Sequence, residues 1–293
     1  MIAAASDFVL PVDKPEGPTS HDVVRAARKA VGNRRIGHTG TLDPFASGLL
    51  LLCVGKATRL AEYLAGQDKT YEAVALLGAT TATLDPEGEV LERRSGWESL
   101  DRTRIEAVLE RFRGDVDQVP PEYSAKKIDG VAAHRRVRRG ETVLLRPVRV
   151  RISSLALTGL DLPRITLRLT CSSGTYVRAL ARDIGEALGV GAHLEKLRRT
   201  AIGDLSVADA LAYEDLADPE RVAGAALAPL DALGHLPALD VDDDVLARIM
   251  HGSSVTVEGD ARDGTVLLAH GGNLVAIGER EHGVVHPRKV FGP

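Results

Sequence analysis

The stretch from Gly37 to Leu52, GHTGTLDPFASGLLLL, constrains the fold of this 293-residue chain more than any other. Its first eight residues hold two glycines, two threonines, a histidine and an Asp-Pro pair, a composition that lets backbone amides approach a ligand and stops a helix. Leu49 to Val54 then runs apolar without interruption. Such a run suits a strand buried on both faces, although periodicity alone leaves a buried helical turn open. Either way, a polar loop carrying His38 and Asp43 is anchored in the core. Taken in isolation, Leu-Asp-Pro is most simply a turn in which Asp43 bonds its own backbone and Pro44 sets the bend.

The flanking segments alternate strand and helix irregularly. Phe8 to Asp13 reads as a short strand. Thr19-Ser20 followed by HDVVRAARKAV reads as a capped helix, with Val23, Val24, Ala27 and Val31 on one face, a solvated basic face at Arg25, Arg28 and Lys29, and Gly32 as its stop. Residues 56–64 suggest a second amphipathic helix. Gly48 to Gly55 is no phosphate loop, because six residues separate the glycines and Ala57 stands where a magnesium-binding hydroxyl belongs. KTYEAVALL at Lys69 to Leu77 alternates like a strand, with Tyr71, Ala73, Ala75 and Leu77 on one face. The turn-rich GATTATLDPEGEV ends it and repeats the string TLDP of residues 41–44 at 83–86, between flanks that do not match, so the repeat reads as coincidence.

Further on, Leu100 to Phe112 reads as a helix, Val148 to Val177 as strands broken at Gly159 to Pro163, and residues 171–189 as a strand passing into a helix that Gly189 ends. LGHLPALDVD looks like a linker into a small β-rich unit with one helix near residues 242–250. These elements predict a mixed α/β (α+β) fold with a largely antiparallel central sheet.

Charge and cysteine usage bound the function. Net charge is -4, which by itself argues weakly against a nucleic-acid partner. Its distribution argues the other way: Lys126 to Arg151 carries nine basic residues, among them Lys126, Arg135, Arg136, Arg138 and Arg139, against two acidic ones. Aromatic residues make up only 3% of the chain, so any base stacking rests on very few side chains. Cys53 and Cys171 sit in apolar surroundings without a CxxC pair and read as buried thiols of a reducing compartment. No basic leader precedes a long apolar core, and no run approaches the roughly 20 residues of a membrane span. The expectation is a cytoplasmic protein. His251, His282 and His286 lack metal-ligand spacing and read as surface residues, so no metal is expected.

Four separated motifs stand in a fixed order: KPEGPTSHDVV with GHTGTLDPFASGLL, then DKTYEA at Asp68 to Ala73, CSSGTYVRALARDIG at Cys171 to Gly185, and GAHLEKLRRT at Gly191 to Thr200. Together, over about Pro11 to Ile202, they resemble the tRNA pseudouridine synthases of the TruB type. The resemblance implies that Asp43 is the catalytic nucleophile, that Arg178 pairs with it, and that Tyr71 stacks on the flipped uracil and helps move the C5 proton. It further implies that His38 contacts the extruded nucleotide and that Tyr176 and Leu197 line the uridine pocket; the charge of the 126–151 stretch makes Lys126, Arg135 and Arg136 the expected RNA contacts. Strand pattern alone reads Tyr71 as core, and composition alone reads Arg178 as a surface arginine. Many relatives carry an acidic residue where this chain has Ala82, while Asp85 keeps the later position.

The implied organisation is a catalytic domain over 1–232, with an RNA-binding insert at about 118–150, and a PUA-like RNA-binding domain over 237–293. The implied activity is conversion of uridine 55 in the T-loop of tRNA to pseudouridine. No cofactor, no membrane and no obligate protein partner enter, and the chain is expected to act as a monomer. Two rivals remain: a noncatalytic tRNA-binding or folding module, and a relative that works with a guide RNA. Binding alone has no use for Asp43, Tyr71 and Arg178 together, and the chain's own insert without a long basic tail suits a stand-alone enzyme.

Overall fold

The computed structural model describes residues 7–124, 127–128, 131–132, 136, 139, 141, 145–259 and 261–292. Lys126, Arg135 and Arg138 of the basic stretch lie outside the described residues. The chain divides into two compact units, one of residues 43–48 and 66–202, the other of residues up to 42, 49–65 and from 203 onward.

The first unit is built on the strand Lys69–Leu77, whose alternate residues are buried as its period-two pattern predicts. It pairs antiparallel with Arg164–Cys171 on one side and with Ala192–Ile202 on the other. Arg164–Cys171 pairs antiparallel with Val148–Asp161, which in turn pairs with Gly114–Gln118. One pairing is parallel: Arg198 and Arg199 lie beside Ser47 and Gly48. The sheet is thus largely antiparallel, as expected. Gly48 has φ +105° and a Cβ there would stand 2.2 Å from the Arg199 carbonyl oxygen, so only glycine admits that contact.

The helix Val177–Leu188 buries Val177, Leu180, Ile184 and Leu188 and ends at Gly189 in the left-handed conformation. Gly185 lets it approach the strand Ala192–Ile202, since a Cβ would meet the Ala192 nitrogen at 2.3 Å. The expected helix from Leu100 is shorter: Asp101 caps Arg102–Leu109, and the last turn, Glu110–Phe112, is 3₁₀. The turn-rich segment after Leu77 does more than end the strand. Ala79–Thr81 pairs with Val90–Arg93, and residues 82–89 form the connecting loop.

In the second unit, Phe8–Lys14 pairs in parallel with Leu211–Ala212, and Ile36–His38 pairs antiparallel with Ser47–Val54. From Gly48 to Val54 the latter strand is buried throughout, which settles the ambiguity of the leucine run. The helix Ser20–Val31 starts in a reciprocal cap between Thr19 and Asp22, ends at left-handed Gly32, and packs Val23, Val24 and Ala27 against Phe8, Leu10, Leu50 and Leu52. Arg28, expected in solvent, instead donates to the Ile36 carbonyl at 2.9 Å. The expected helix over 56–64 opens as a 3₁₀ segment, Gly55–Leu60, with Thr58 Oγ1 donating back to the Gly55 carbonyl, and becomes α only at Ala61–Ala65.

A five-stranded sheet closes the chain, in the order Ala238–Asp240, Gly264–His270, Asn273–Glu281, Val284–Val290, Val255–Thr256, with the helix Asp243–Met250 and its own apolar cluster around Ile249, Val266 and Val285. The expected linker is therefore partly strand, because Ala238–Asp240 pairs in parallel with Leu267–Ala269. Its last strand is tied to the 55–65 segment: Lys289 meets Glu62, Arg59 donates to the Val290 carbonyl at 2.6 Å and lies over the Phe291 ring, and Lys56 donates to the Phe291 carbonyl at 2.9 Å. Among the described residues, no helix is long and apolar enough to cross a membrane.

Candidate active site

Backbone chemistry places Asp43. Buried Ser20, the first residue of its helix, accepts from the Leu42 amide at 2.9 Å and donates to the Leu42 carbonyl at 3.0 Å, which fixes the residue just before Asp43. The Ala46 amide then donates to the Asp43 carbonyl at 3.1 Å, closing the turn that Pro44 begins. The turn is closed through the Asp43 backbone, which leaves its side chain to meet Arg178.

The side chain faces Arg178 at the start of the helix Val177–Leu188. Arg178 Nε lies 3.0 Å from Asp43 Oδ2, and Nη2 lies 3.4 Å from Oδ1, a two-point contact of planar groups. The guanidinium is buried (8% exposed), whereas Asp43 keeps one third of its side chain exposed, so the carboxylate is held from behind and open in front. Every other edge of the arginine is occupied. Nη1 donates to Asp85 Oδ2 at 2.9 Å and to the Thr83 carbonyl at 2.8 Å, and Nη2 donates to the Tyr123 carbonyl at 2.9 Å.

Asp85 is the residue that sequence reasoning missed. It is buried in the 82–89 loop, with Thr83 Oγ1 and the Glu87 amide donating to its Oδ1. Leu84 turns it inward through a left-handed φ of 62°, a conformation a leucine adopts only under constraint. The signal was the second TLDP string, whose aspartate meets the same guanidinium as the first. Ala82 is exposed at the same loop.

Gln118 sets the arginine's helix. Its buried side chain donates from Nε2 to the Tyr176 carbonyl at 3.1 Å and accepts at Oε1 from the Tyr176 amide at 2.8 Å. Tyr176 is the N-cap position and offers no side-chain cap, so the glutamine serves that turn from outside. Arg182, one turn on, donates to the Val119 carbonyl at 3.0 Å. Residues 118–123 are thereby pinned to the helix that carries Arg178.

Tyr71 is buried, at 7% exposure. Directly across the ladders stand Leu169 and Arg199, so the three side chains share one face. Burial raises the Tyr71 phenol above the ordinary tyrosine range, with the Arg199 guanidinium and its hydrogen bond opposing and the Asp43 carboxylate adding to the rise. At neutral pH the hydroxyl is protonated. Lys69, two residues back on the same face, is also buried, and its ammonium is pushed down to about 8 by burial and by Arg199. Both cysteines are buried free thiols, as expected, and burial lifts Cys171 to about 11 and Cys53 to about 12, so both stay protonated at neutral pH.

Of the other candidates, Leu197 is buried on the strand beside Ala73, and Tyr176 is half-buried at the helix start. His38 ends the strand Ile36–His38, half-buried, in the other unit. Arg136 lies 3.8 Å from Glu141. Lys126 and Arg135 are outside the described residues. His251, His282 and His286 are exposed, and among the described residues no group of His, Cys, Asp and Glu could hold a metal.

A half-open carboxylate locked by a buried guanidinium, beside a buried phenol on an antiparallel sheet, occurs here in a fold shared with pseudouridine synthases. The chain matches the TruB family pseudouridylate synthase N-terminal domain over residues 28–177 and the tRNA pseudouridylate synthase B C-terminal domain over 178–233. It is 44% identical to tRNA pseudouridine synthase B of Burkholderia lata, over 97% of this chain and 90% of that one. It is 42% identical to the same enzyme of Azoarcus sp., over 97% and 95%. Among solved structures, a Cbf5-Nop10-Gar1 complex aligns with TM-score 0.75 at 28% identity, over 98% of this chain and 85% of that one. An H/ACA RNP bound to a substrate RNA containing 2'-deoxyuridine aligns at 0.75 and 26%, with the same coverage. The chain belongs to the TruB family and is a tRNA pseudouridine synthase, an isomerase.

Proposed function

We propose that this enzyme isomerises uridine 55 of the tRNA T-loop, flipping the base out of its stack and using Asp43 as the catalytic carboxylate. The observation that carries this is the Asp43–Arg178 pair, with a carboxylate open on one side and fixed on the other by an arginine that has no freedom to leave it. In the reaction the N1–C1′ bond breaks, C5 bonds to C1′, C5 loses its proton and N1 gains one, so substrate and product have the same atoms. Asp43 acts as nucleophile or base at the moment the glycosidic bond opens. Tyr71 stacks on the uracil. Its protonated hydroxyl relays the C5 proton by taking it on oxygen as its own proton passes on toward N1, rather than waiting as a preformed base.

Flipping the uridine costs a few kcal/mol, which contacts with the rest of the T-arm offset. Phosphate contacts from the basic 126–151 stretch, including Lys126, Arg135 and Arg136, suit that role, with Tyr176, Leu197 and His38 around the base. Residues 237–293 act as a PUA-like RNA-binding appendage to a catalytic domain over 1–232, in a monomeric cytoplasmic enzyme. The far higher identity to stand-alone tRNA enzymes than to Cbf5 supports independence from guide RNA and protein partners.

Tritium release from C5-labelled uridine in an unmodified tRNA transcript tests the reading. Asp43→Asn removes the nucleophile with little change in volume and is expected to abolish release while tRNA affinity stays within about threefold. Turnover near wild type would remove Asp43 from its role.

A further inference from the structure

Arg199 is the largest fully buried side chain among the described residues, at 2% exposure, and nothing in the mechanism above uses it. A buried guanidinium is unfavourable unless its donors are met, so its surroundings bear directly on its role. It stands directly opposite Tyr71 in the antiparallel ladder between Ala192–Ile202 and Lys69–Leu77, and its side chain hydrogen-bonds the Tyr71 hydroxyl. Its backbone is clamped on the other side by Gly48, in the strand that follows Asp43 by four residues. The ladder shifts register just beyond it, between Arg199 and Ala201, so this pair is the last regular one before the irregularity.

Guanidinium carries five donors and no acceptor. A phenol oxygen bonded to it is therefore the acceptor in that bond, and the phenol's own O–H points elsewhere. Asp43 acts electrostatically on the same phenol and adds to the rise that keeps its hydroxyl protonated, so the phenol carries a proton and a second lone pair beyond the bond to Arg199. The other group acting on the phenol is the Cys171 thiol on the neighbouring strand, while Lys69, on its own strand, donates to the Gln67 carbonyl at 2.5 Å. Neither is placed by a ladder pairing opposite Tyr71.

We propose that Arg199 is the positioning residue for Tyr71: its guanidinium holds the phenol oxygen, directs the O–H toward the substrate side, and stabilises the negative charge that gathers on that oxygen while its proton is in transit. Arg199 touches no reacting atom, and its effect on the reaction passes through the hydroxyl of Tyr71. The inference rests on the relay role given to Tyr71 above.

A double-mutant cycle between the two positions tests it, with single-turnover tritium release at saturating tRNA as the readout. Arg199→Gln is expected to slow release by about 100-fold, with tRNA affinity within about threefold because the guanidinium meets no RNA. Arg199→Lys keeps the charge and one donor and is expected to recover part of the loss. With Phe already at position 71, adding Arg199→Gln is expected to cost less than about threefold more. A full additional loss in that background would show that Arg199 acts independently of the hydroxyl and would overturn the proposal, as would an Arg199→Gln enzyme of wild-type rate.

A fully active Tyr71→Phe enzyme would sink the relay reading itself, an outcome distinct from an inactive Phe variant paired with an unaffected Arg199→Gln. Should Arg199→Gln fail to fold, the cycle is read with Arg199→Lys. Should the Phe background fall below detection, the tyrosinate absorbance of the folded protein decides. Loss of the Arg199 charge is expected to move one tyrosine, the one missing in Tyr71→Phe, to higher pH, and an unchanged titration contradicts the contact.

Discussion

Asp43 and Asp85, the aspartates of two TLDP strings forty-two residues apart (85 − 43), meet at one guanidinium: Arg178 reaches Asp43 Oδ2 at 3.0 Å through Nε and Asp85 Oδ2 at 2.9 Å through Nη1. The two carboxylates differ in setting. Asp85 is buried at 4% exposure and Asp43 is open at 34%, so one orients the arginine and the other, oriented by it, keeps an edge exposed. Replacing Asp85 by Ala leaves a buried cation half-compensated, at an expected cost of about 3 kcal/mol in stability. It should also slow single turnover more than it weakens tRNA binding. Asn at the same place keeps an acceptor and should lose less of both. Urea unfolding and tritium release read the two effects, and an Asp85→Ala enzyme with normal turnover would detach this pair from catalysis.

Gln118 should matter through the backbone of Tyr176. Gln118→Ala removes one donor and one acceptor from a buried helix start, for an expected loss of about 2 kcal/mol and a slower single turnover as Arg178 loses its fixed origin. Gln118→Glu retains only the bond from the Tyr176 amide and buries a charge, so it should fare no better. Equal stability of all three proteins in urea would mean that the clasp is dispensable.

Gly48→Ala is expected to be among the most damaging small substitutions in the chain. Its Cβ would lie 2.2 Å from the Arg199 carbonyl oxygen and 2.7 Å from the Arg199 nitrogen, on a backbone with φ +105°. Main-chain atoms cannot swing aside as a side chain does, so overpacking and backbone strain together should cost about 2 to 4 kcal/mol. Thermal unfolding measures it, and an unshifted midpoint would place the two strands farther apart than described here.

Lys69 gives a pH signature. Its ammonium titrates at about 8 in the folded protein, against about 10.4 when unfolded. Between those values the unfolded chain binds more protons, so this group makes stability rise with pH, by at most about 1.4 kcal/mol per unit. The raised thiols of Cys53 and Cys171 act with the opposite sign at higher pH. The clean measurement is therefore the difference between wild type and Lys69→Met: the variant should be the more stable at pH 7, with the gap closing as pH rises through 8 to 10. A gap independent of pH would show that Lys69 is charged throughout.

Local patterns decided a large part of this molecule. The Thr19 cap and the Gly32 stop bound a helix within one segment, the alternation of Lys69–Leu77 chose its buried face, and the unbroken Leu49–Val54 run could only be an interior strand once packed. These features depend on residues a few positions apart, where hydrophobic period, capping and left-handed glycine act without reference to the rest of the chain. The motifs that carry Asp43, Tyr71 and Arg178 were legible for the same reason, each being a short string. What tertiary structure alone decided is which of these strings touch. Asp85 looked like a chance repeat until the 79–93 hairpin folded its loop onto Arg178; Gln118 carried no local signal, and Arg199 stood in the GAHLEKLRRT string with nothing to mark it as the partner of Tyr71. Their roles arise from strand order and register, and those are set by summed burial over segments 58 or more residues apart in the chain, in a way no window of sequence contains.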